Sequence, residues 1–347
     1  MNSSPFVDGP SFRRSFEQGL ADLLSGYSEL GVWILVMANA ASDPGIWASL
    51  SDPLRRKYRI LEASYRERAG RGLALDDAGD DVHVFSRLLE LGFDGISPVR
   101  ERRVGAWELQ FNQLRSFRPA RASLQTVVGI SRPFDPDGFH FNKPFLRKES
   151  FWRGWLAGRT IALLYNKFPF VELHGILVPE PREGHPQLLT QDDHLYIWRV
   201  TELLDEAIPG VHFGFNSLGA YASVNHLHFQ MFVREAPLPV ERDVWCHNGG
   251  EREYPAHCVA FDRPTAAWEF ILELHEREIS YNILYAPGRV YCLSRLKQGS
   301  CDTPDWTEGF AWHEMAGGFT TSELQAYETL TAEDLKAALE RMSLIPE

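Results

Sequence analysis

Apolar and polar positions follow a helical period through the first hundred residues and a strand period after them. Phe12 to Leu24 and Pro53 to Arg68 carry apolar residues at helical spacing among charges, which predicts two helices. Between them, Leu30 to Ala38 is an unbroken apolar run flanked by Glu29 and Asp43. It falls far short of the roughly 20 residues that cross a bilayer, so a buried element is expected and not a membrane span. No basic leader precedes it, so it does not read as a signal peptide. The polar stretch Gly70 to Asp81 is expected to be a loop. From Ala106 the character changes: Trp107 to Phe111, Ala122 to Ile130 and Phe170 to Val178 are short aromatic or β-branched runs separated by Pro, Gly and Asp, which predicts strands.

Asp192 to Glu206 reads as an amphipathic helix closed by Pro209-Gly210. Two strands follow, His212 to Asn216 and Asn225 to Val233, joined through Ser217-Leu218-Gly219-Ala220. After the polar break Gly249 to Glu253 come a strand at Cys258 to Phe261, a helix at Ala266 to Arg277, strands at Tyr281 to Tyr285 and Arg289 to Leu293, and a helix at Ala332 to Met342. The order strand, helix, paired strands thus recurs. This predicts an α+β fold with an antiparallel sheet, flanking helices and two related halves. The expected divisions are a mainly helical region 1–104, a first half 105–245 and a second half 250–347.

Composition narrows the function classes. Hydrophobic and charged contents of 44% and 24% are those of a soluble globular protein, and ten Trp with 22 Phe fit large packed surfaces. A net charge of −12 argues against a general nucleic-acid binder, though a nucleotide needs only a local cationic pocket. Cys246, Cys258, Cys292 and Cys301 form no Cys-x-x-Cys pair, and a reducing cytoplasm is the simplest assignment.

Candidate chemistry concentrates at His226-Leu227-His228-Phe229-Gln230. Strand alternation places His226, His228 and Gln230 in one row, with Leu227, Phe229 and Met231 on the opposite, packed face. Two imidazoles and a carboxamide make a poor core face and a good phosphate-handling surface. A neutral imidazole can attack phosphorus while its neighbours donate to the oxygens. Alone, the row also fits a metal-binding or merely solvated strand. Upstream lie Asn166, Lys167, Phe168 and Pro169, then His174 and Val178-Pro179. Just before the row come Asn216, Gly219 and Ser223: Gly219 permits a close backbone approach, and Asn216 and Ser223 can donate to phosphate oxygens. Each of these alone reads as a turn former. Cys246-His247 and His257-Cys258 are adjacent pairs, whose side chains diverge in an extended chain, whereas zinc knuckles space paired ligands by two to four residues. No metal is expected.

Taken in order, Asn166-Lys-Phe-Pro, His174, Leu177-Val-Pro, Asn216-Ser-Leu-Gly-Ala and Ser223-Val-Asn-His-Leu-His-Phe-Gln resemble the transferase and phosphorylase branch of the histidine triad superfamily. That branch includes galactose-1-phosphate uridylyltransferase and diadenosine tetraphosphate phosphorylase. The likeness is greatest to the GDP-L-galactose and GDP-D-glucose phosphorylases, and it covers roughly residues 105 to 345. It implies a histidine-triad-like sheet and a nucleotidyltransferase that cleaves a nucleoside diphosphate sugar, GDP-hexose favoured, with inorganic phosphate. His228 would attack the α-phosphorus, Gln230 would donate to a non-bridging oxygen, and His226 would position. Physical logic adds that His228 must be neutral, its second nitrogen donating, most simply to a backbone carbonyl.

The resemblance assigns Asn166, Lys167, Asn216, Gly219, Ser223, Asn142, Lys143 and Arg118 to substrate binding. Arg115, Arg121 and Arg147 are further upstream cations, and Phe141-Asn142 would face the base. No cofactor and no nucleic-acid or membrane partner is implied, and related enzymes are often homodimers. His313 and Gly318 depart from the family's pattern, on the acceptor side. Two other readings remain: the same chemistry on a dinucleoside polyphosphate or a biosynthetic nucleotide, and a non-catalytic nucleotide-binding module.

Overall fold

The computed structural model describes residues 4–71, 77–117 and 127–346. Four helices open the chain: α1 (Gly9–Gly26), α2 (Leu30–Ala41), α3 (Pro44–Gly70) and α4 (Gly79–Leu91). The apolar run becomes α2, buried on every side between its neighbours. A helix apolar all round is stable only inside a core, and no helix among the described residues is long and apolar enough to cross a membrane. α3 starts nine residues earlier than the apolar spacing predicts, because Asp43 caps it, accepting from Gly45 N–H and Ile46 N–H with Pro44 in the first turn.

β1 (Arg100–Val104) and β2 (Trp107–Phe111) form a hairpin whose turn spans residue 105. The main sheet then begins with β3 (Ser150–Leu156), β4 (Arg159–Tyr165) and β5 (Gly175–Pro179), followed by α5 (Gln191–Asp205), β6 (Val211–Asn216) and β7 (Phe229–Val233). β8 (Cys258–Phe261), α6 (Pro264–Glu276), β9 (Tyr281–Ala286) and β10 (Arg289–Ser294) continue it, and α7 (Trp312–Met315), β11 (Gly318–Thr321), α8 (Leu324–Thr329) and α9 (Ala332–Met342) close the chain. The order is β3-β4-β5-β7-β6-β9-β10-β8, antiparallel throughout. β5-α5-β6-β7 and β8-α6-β9-β10 have the same connectivity, and their spatial orders mirror each other across the β6·β9 pair. The α+β class with antiparallel sheets is as expected. β11 adds in parallel to β2, so a small three-stranded sheet joins residues 100–111 to residues 318–321 near the other end of the chain.

One face of the large sheet packs against helices. Leu227, Phe229, Met231, Phe213, Phe215, Ile283 and Tyr285 meet the apolar faces of α1, α2, α5 and α6 in one core. Each such side chain contributes roughly 1.5–3 kcal/mol on full burial. The other face is covered in two separate patches. Trp312, Met315, Phe319, Leu335 and Leu339 cover the β6-β9-β10 side with Trp107 and Leu109 of the small sheet. Phe141 and Leu146 cover Ala162, Leu164, Ile176 and Val178 on the β4-β5 side.

Several boundaries differ from the sequence pattern. The strand expected at Asn225 to Val233 begins only at Phe229, and the one expected at Phe170 to Val178 only at Gly175. Leu173 has a φ of 48°, which turns the chain just before β5. Of the strand expected at Ala122 to Ile130, residues 122–126 lie outside the described residues, and 127–130 are not a strand.

Candidate active site

His226, His228 and Gln230 lie where the two covering patches meet. The alternation of faces survives although only Gln230 is inside a strand: Leu227, Phe229 and Met231 enter the helix-side core. Phe141 stands over His226 and His228, with ring centroids 6.0 and 4.9 Å away, and Trp312 reaches Gln230 from the other patch.

His228 is almost fully buried, and its Nδ1 lies 2.8 Å from the carbonyl oxygen of His226. A carbonyl only accepts, so Nδ1 carries the proton and Nε2 keeps its lone pair. Burial pushes the ring pKa down to about 4, so the imidazole is neutral near pH 7. His226 is the reverse tautomer. Its Nδ1 accepts the Phe141 N–H at 3.1 Å, and its Nε2–H is buried without a partner among the described residues.

Gln230 has a defined orientation. Its Oε1 lies 3.0 Å from Trp312 Nε1 and 3.1 Å from His174 Nε2. An indole N–H only donates, so the oxygen faces Trp312 and the NH₂ group points away from it. His174 fits as the second donor: Phe170 N–H donates to its Nδ1, and burial, with the Arg115 charge, lowers its pKa to about 3. The Asn166 amide sits against the same ring, 3.1 Å from Nε2. The backbone of Asn166 is held in turn by Asn39 of α2, whose amide donates to its carbonyl at 2.9 Å.

Asn216, at the end of β6, accepts from the Trp312 N–H at 3.0 Å and from the Asn282 amide at 2.6 Å. Its oxygen therefore seats α7 and Trp312 over the row. Gly219 has a φ of 78°, and a Cβ there would meet Ser280 Oγ at 2.4 Å, so its close approach is to the β9 side of the protein. Ser223 is exposed in the segment before the row.

Two other expected residues, both lysines, have their ammonium groups engaged elsewhere. The Lys167 ammonium pairs with Asp81 of α4, and Lys143 donates to the carbonyls of Pro136 and Asp137 in its own loop. Asn142 N–H donates to His140 Nδ1. Arg118 and Arg121 lie outside the described residues. The two departures from the family pattern are one packing event, because a Cβ at Gly318 would lie 2.4 Å from His313 Nε2. His247 turns to the Val240 carbonyl and His257 to the Ser294 hydroxyl. Among the described residues no three His, Cys, Asp or Glu side chains gather as a metal site.

Sequence reasoning missed Gln187 and Asn282, both fully buried beside the row. Gln187 sits in a short Pro-rich stretch without periodicity, and nothing local marks it. Asn282 had one available signal, a polar residue inside the otherwise apolar strand Tyr281 to Tyr285.

Residues 107–232 match the model of the GDPGP1-like N-terminal domain. GDP-D-glucose phosphorylase 1 of Danio rerio is 37% identical over 122 residues, covering 35% of this chain and 35% of that protein. GDP-L-galactose phosphorylase 2 of Arabidopsis thaliana is 35% identical over 281 residues, 74% of this chain and 59% of that protein. The chain matches only about a third of the length of the first of these curated relatives. Among solved structures, yeast Ap4A phosphorylase Apa2 aligns with a TM-score of 0.49 at 14% identity, over 78% of this chain and 95% of that one. The histidine row falls inside the segment that matches the GDPGP1-like N-terminal domain, residues 107–232, and the chain is similar there to the GDP-D-glucose and GDP-L-galactose phosphorylases.

Proposed function

We propose that the protein is a nucleotidyltransferase that phosphorolyses a nucleoside diphosphate hexose, GDP-hexose by homology, through a covalent nucleotidyl-His228. The observation that carries this is the His228 ring itself. Its proton is held on Nδ1 by the His226 carbonyl, and burial keeps it neutral, so an unprotonated Nε2 is available as nucleophile.

In the first step Nε2 attacks the α-phosphorus. A P–N bond forms, the bond from the α-phosphorus to the bridging oxygen breaks, and hexose 1-phosphate leaves with that oxygen. The ring becomes cationic, and the Nδ1–H···O=C bond strengthens as it does. In the second step an oxygen of inorganic phosphate attacks the same phosphorus, the P–N bond breaks, and the nucleoside diphosphate is released. Gln230 supports both steps because its oxygen is held by Trp312 and His174, which leaves its NH₂ as a donor for a non-bridging oxygen. An amide cannot protonate a leaving group, which suits a phosphate that departs as an anion. His226 contributes its carbonyl to His228 and its ring to the Phe141 backbone.

Intact-protein mass spectrometry after mixing with GDP-hexose and no phosphate tests this. A single added nucleotidyl mass is expected, lost on adding phosphate and absent in His228→Asn. Normal phosphorolysis by His228→Asn ends the proposal.

A further inference from the structure

β7 leaves the sheet at the nucleophile. Its pairing with β6 runs Val211↔Val233, His212↔Phe232, Phe213↔Met231 and Gly214↔Gln230. In that register the ladder would continue to Phe215↔Phe229 and Asn216↔His228. It does not, although β6 itself runs on to Asn216, where it still pairs with Asn282 of β9. On the other side the β5 ladder ends at Leu177↔Phe229, although β5 continues to Pro179. His228 is thus the first residue outside both ladders, and its buried peptide groups need other partners.

One side chain supplies them. Gln187 Oε1 accepts the His228 N–H at 2.9 Å, and Gln187 Nε2 donates to the His228 carbonyl at 3.3 Å and to the Asn216 carbonyl at 3.0 Å. These are the two backbone positions that the missing ladder pair would have joined. The carboxamide stands between the strands in place of a peptide unit, offering His228 one acceptor and one donor as a neighbouring strand would. Its orientation is unique, since a backbone N–H only donates and the two carbonyls only accept. The segment around it is fastened too: Gln187 N–H donates to Asn225 Oδ1, and Leu227 N–H to the His185 carbonyl.

The opening has a consequence for the imidazole. In a closed antiparallel ladder a carbonyl lies in the sheet, directed at the neighbouring strand. The His226 carbonyl instead faces the Nδ1 of His228, which it can do only because residues 226–228 have left the ladder.

We propose that Gln187 is the positioning residue of the nucleophile: it wedges β6 from β7 at His228, satisfies the peptide groups so exposed, and thereby keeps the His228 Nδ1 proton directed at the His226 carbonyl oxygen and the His228 Nε2 lone pair on the substrate side. It touches no substrate and acts through the His228 backbone. The inference rests on the assignment of His228 as nucleophile only for its kinetic part; the tautomer is a property of the free protein.

The test uses Gln187→Leu and the isosteric Gln187→Glu, which keeps the shape but places an oxygen against two carbonyls. With ¹⁵N-histidine labelling, the His228 ring of the unaltered protein should show protonated Nδ1 and unprotonated Nε2. Both variants should lose that pattern and mix tautomers. Nucleotidylation in a single turnover should fall roughly 10²-fold, the size expected for a misplaced reacting group, with KM little changed. A general loss of stability would not move the tautomer of the folded fraction, so the NMR signature separates positioning from scaffolding. An unchanged His228 tautomer in folded Gln187→Glu overturns the proposal, as does an unchanged single-turnover rate. A shifted tautomer in a protein that forms no nucleotidyl adduct even when unaltered would uphold the positioning and remove the phosphorylase reading.

Discussion

At the scale of single residues, the site depends on which atom of each ring or amide faces which partner. A nucleophilic His228, as proposed, must be neutral with its second nitrogen donating, and the protein supplies the carbonyl of His226, two positions upstream. That much is legible because it is local. Gln187 is not, because its partners lie 29 and 41 positions away and it carries no local pattern. The Gln230 amide is oriented by two donors on one oxygen, so removing one should loosen it. Trp312→Phe keeps an aromatic ring in place but deletes the indole N–H together with part of the buried packing. A net hydrogen bond of about 1 kcal/mol corresponds to a fall of roughly fivefold in nucleotidylation rate. Rapid-quench measurement of the first half-reaction checks this, and a rate equal to the original would show that His174 alone orients the amide.

At the scale of elements, most helices and several core strands were readable because each carries its own period, but α4 was not, and its first turn lies in the stretch expected to be a loop. The final helix matches its apolar spacing from Ala332 to Met342, with Thr331 and Asp334 forming a capping box. Strand starts at the site were not readable. The alternation of Asn225 to Val233 continues through residues that have left the ladder, so pattern alone cannot show where hydrogen bonding stops. β3 escaped notice because Ser150 to Leu156 mixes charge and glycine with its apolar residues, whereas β4 carries an unbroken apolar run, Ile161 to Tyr165, that sequence reasoning passed over. Gly214 shows how an element serves the site. It pairs with Gln230 across β6·β7, and the Trp312 indole occupies the space above it, so a Cβ there would lie 2.4 Å from the ring. Gly214→Ala should therefore push Trp312 off Gln230, lowering the nucleotidylation rate at least as far as Trp312→Phe does and quenching or shifting Trp312 fluorescence. Stability should also fall by about 1–3 kcal/mol from overpacking. Retention of full rate would mean that the indole is not needed where it stands.

At the scale of the molecule, the opening helices brace the site from behind. Asn39 of α2 holds the Asn166 carbonyl, Asp81 of α4 holds Lys167, and Tyr165 donates to the Phe16 carbonyl of α1. Their helical nature was legible, but this bracing was not, because it is made of contacts between distant segments. A consequence of so much burial is a set of histidines kept uncharged. His174 and His226 have pKa values lowered to about 3, and His194 and His228 to about 4, in each case first by burial. The unfolded chain binds these protons below about pH 6.5, whereas the native protein does not until pH 4 or lower. Over that window the unfolded state holds more protons, so stability must fall as pH falls, by about 1.4 kcal/mol per pH unit for each group. Glu149 and Glu314, whose pKa values burial raises, oppose the trend near the bottom of the window. Urea unfolding at pH 7, 6 and 5 should show a steady loss. His194→Gln should reduce the slope by one proton, because His194 lies outside the row and, among the described residues, bonds Tyr285 and the Pro264 carbonyl. Over the same range the first half-reaction of folded protein should stay level, since His228 remains neutral to about pH 4. A rate that halves near pH 6.5 would place a protonated His228 in the native state and contradict the nucleophile's stated charge.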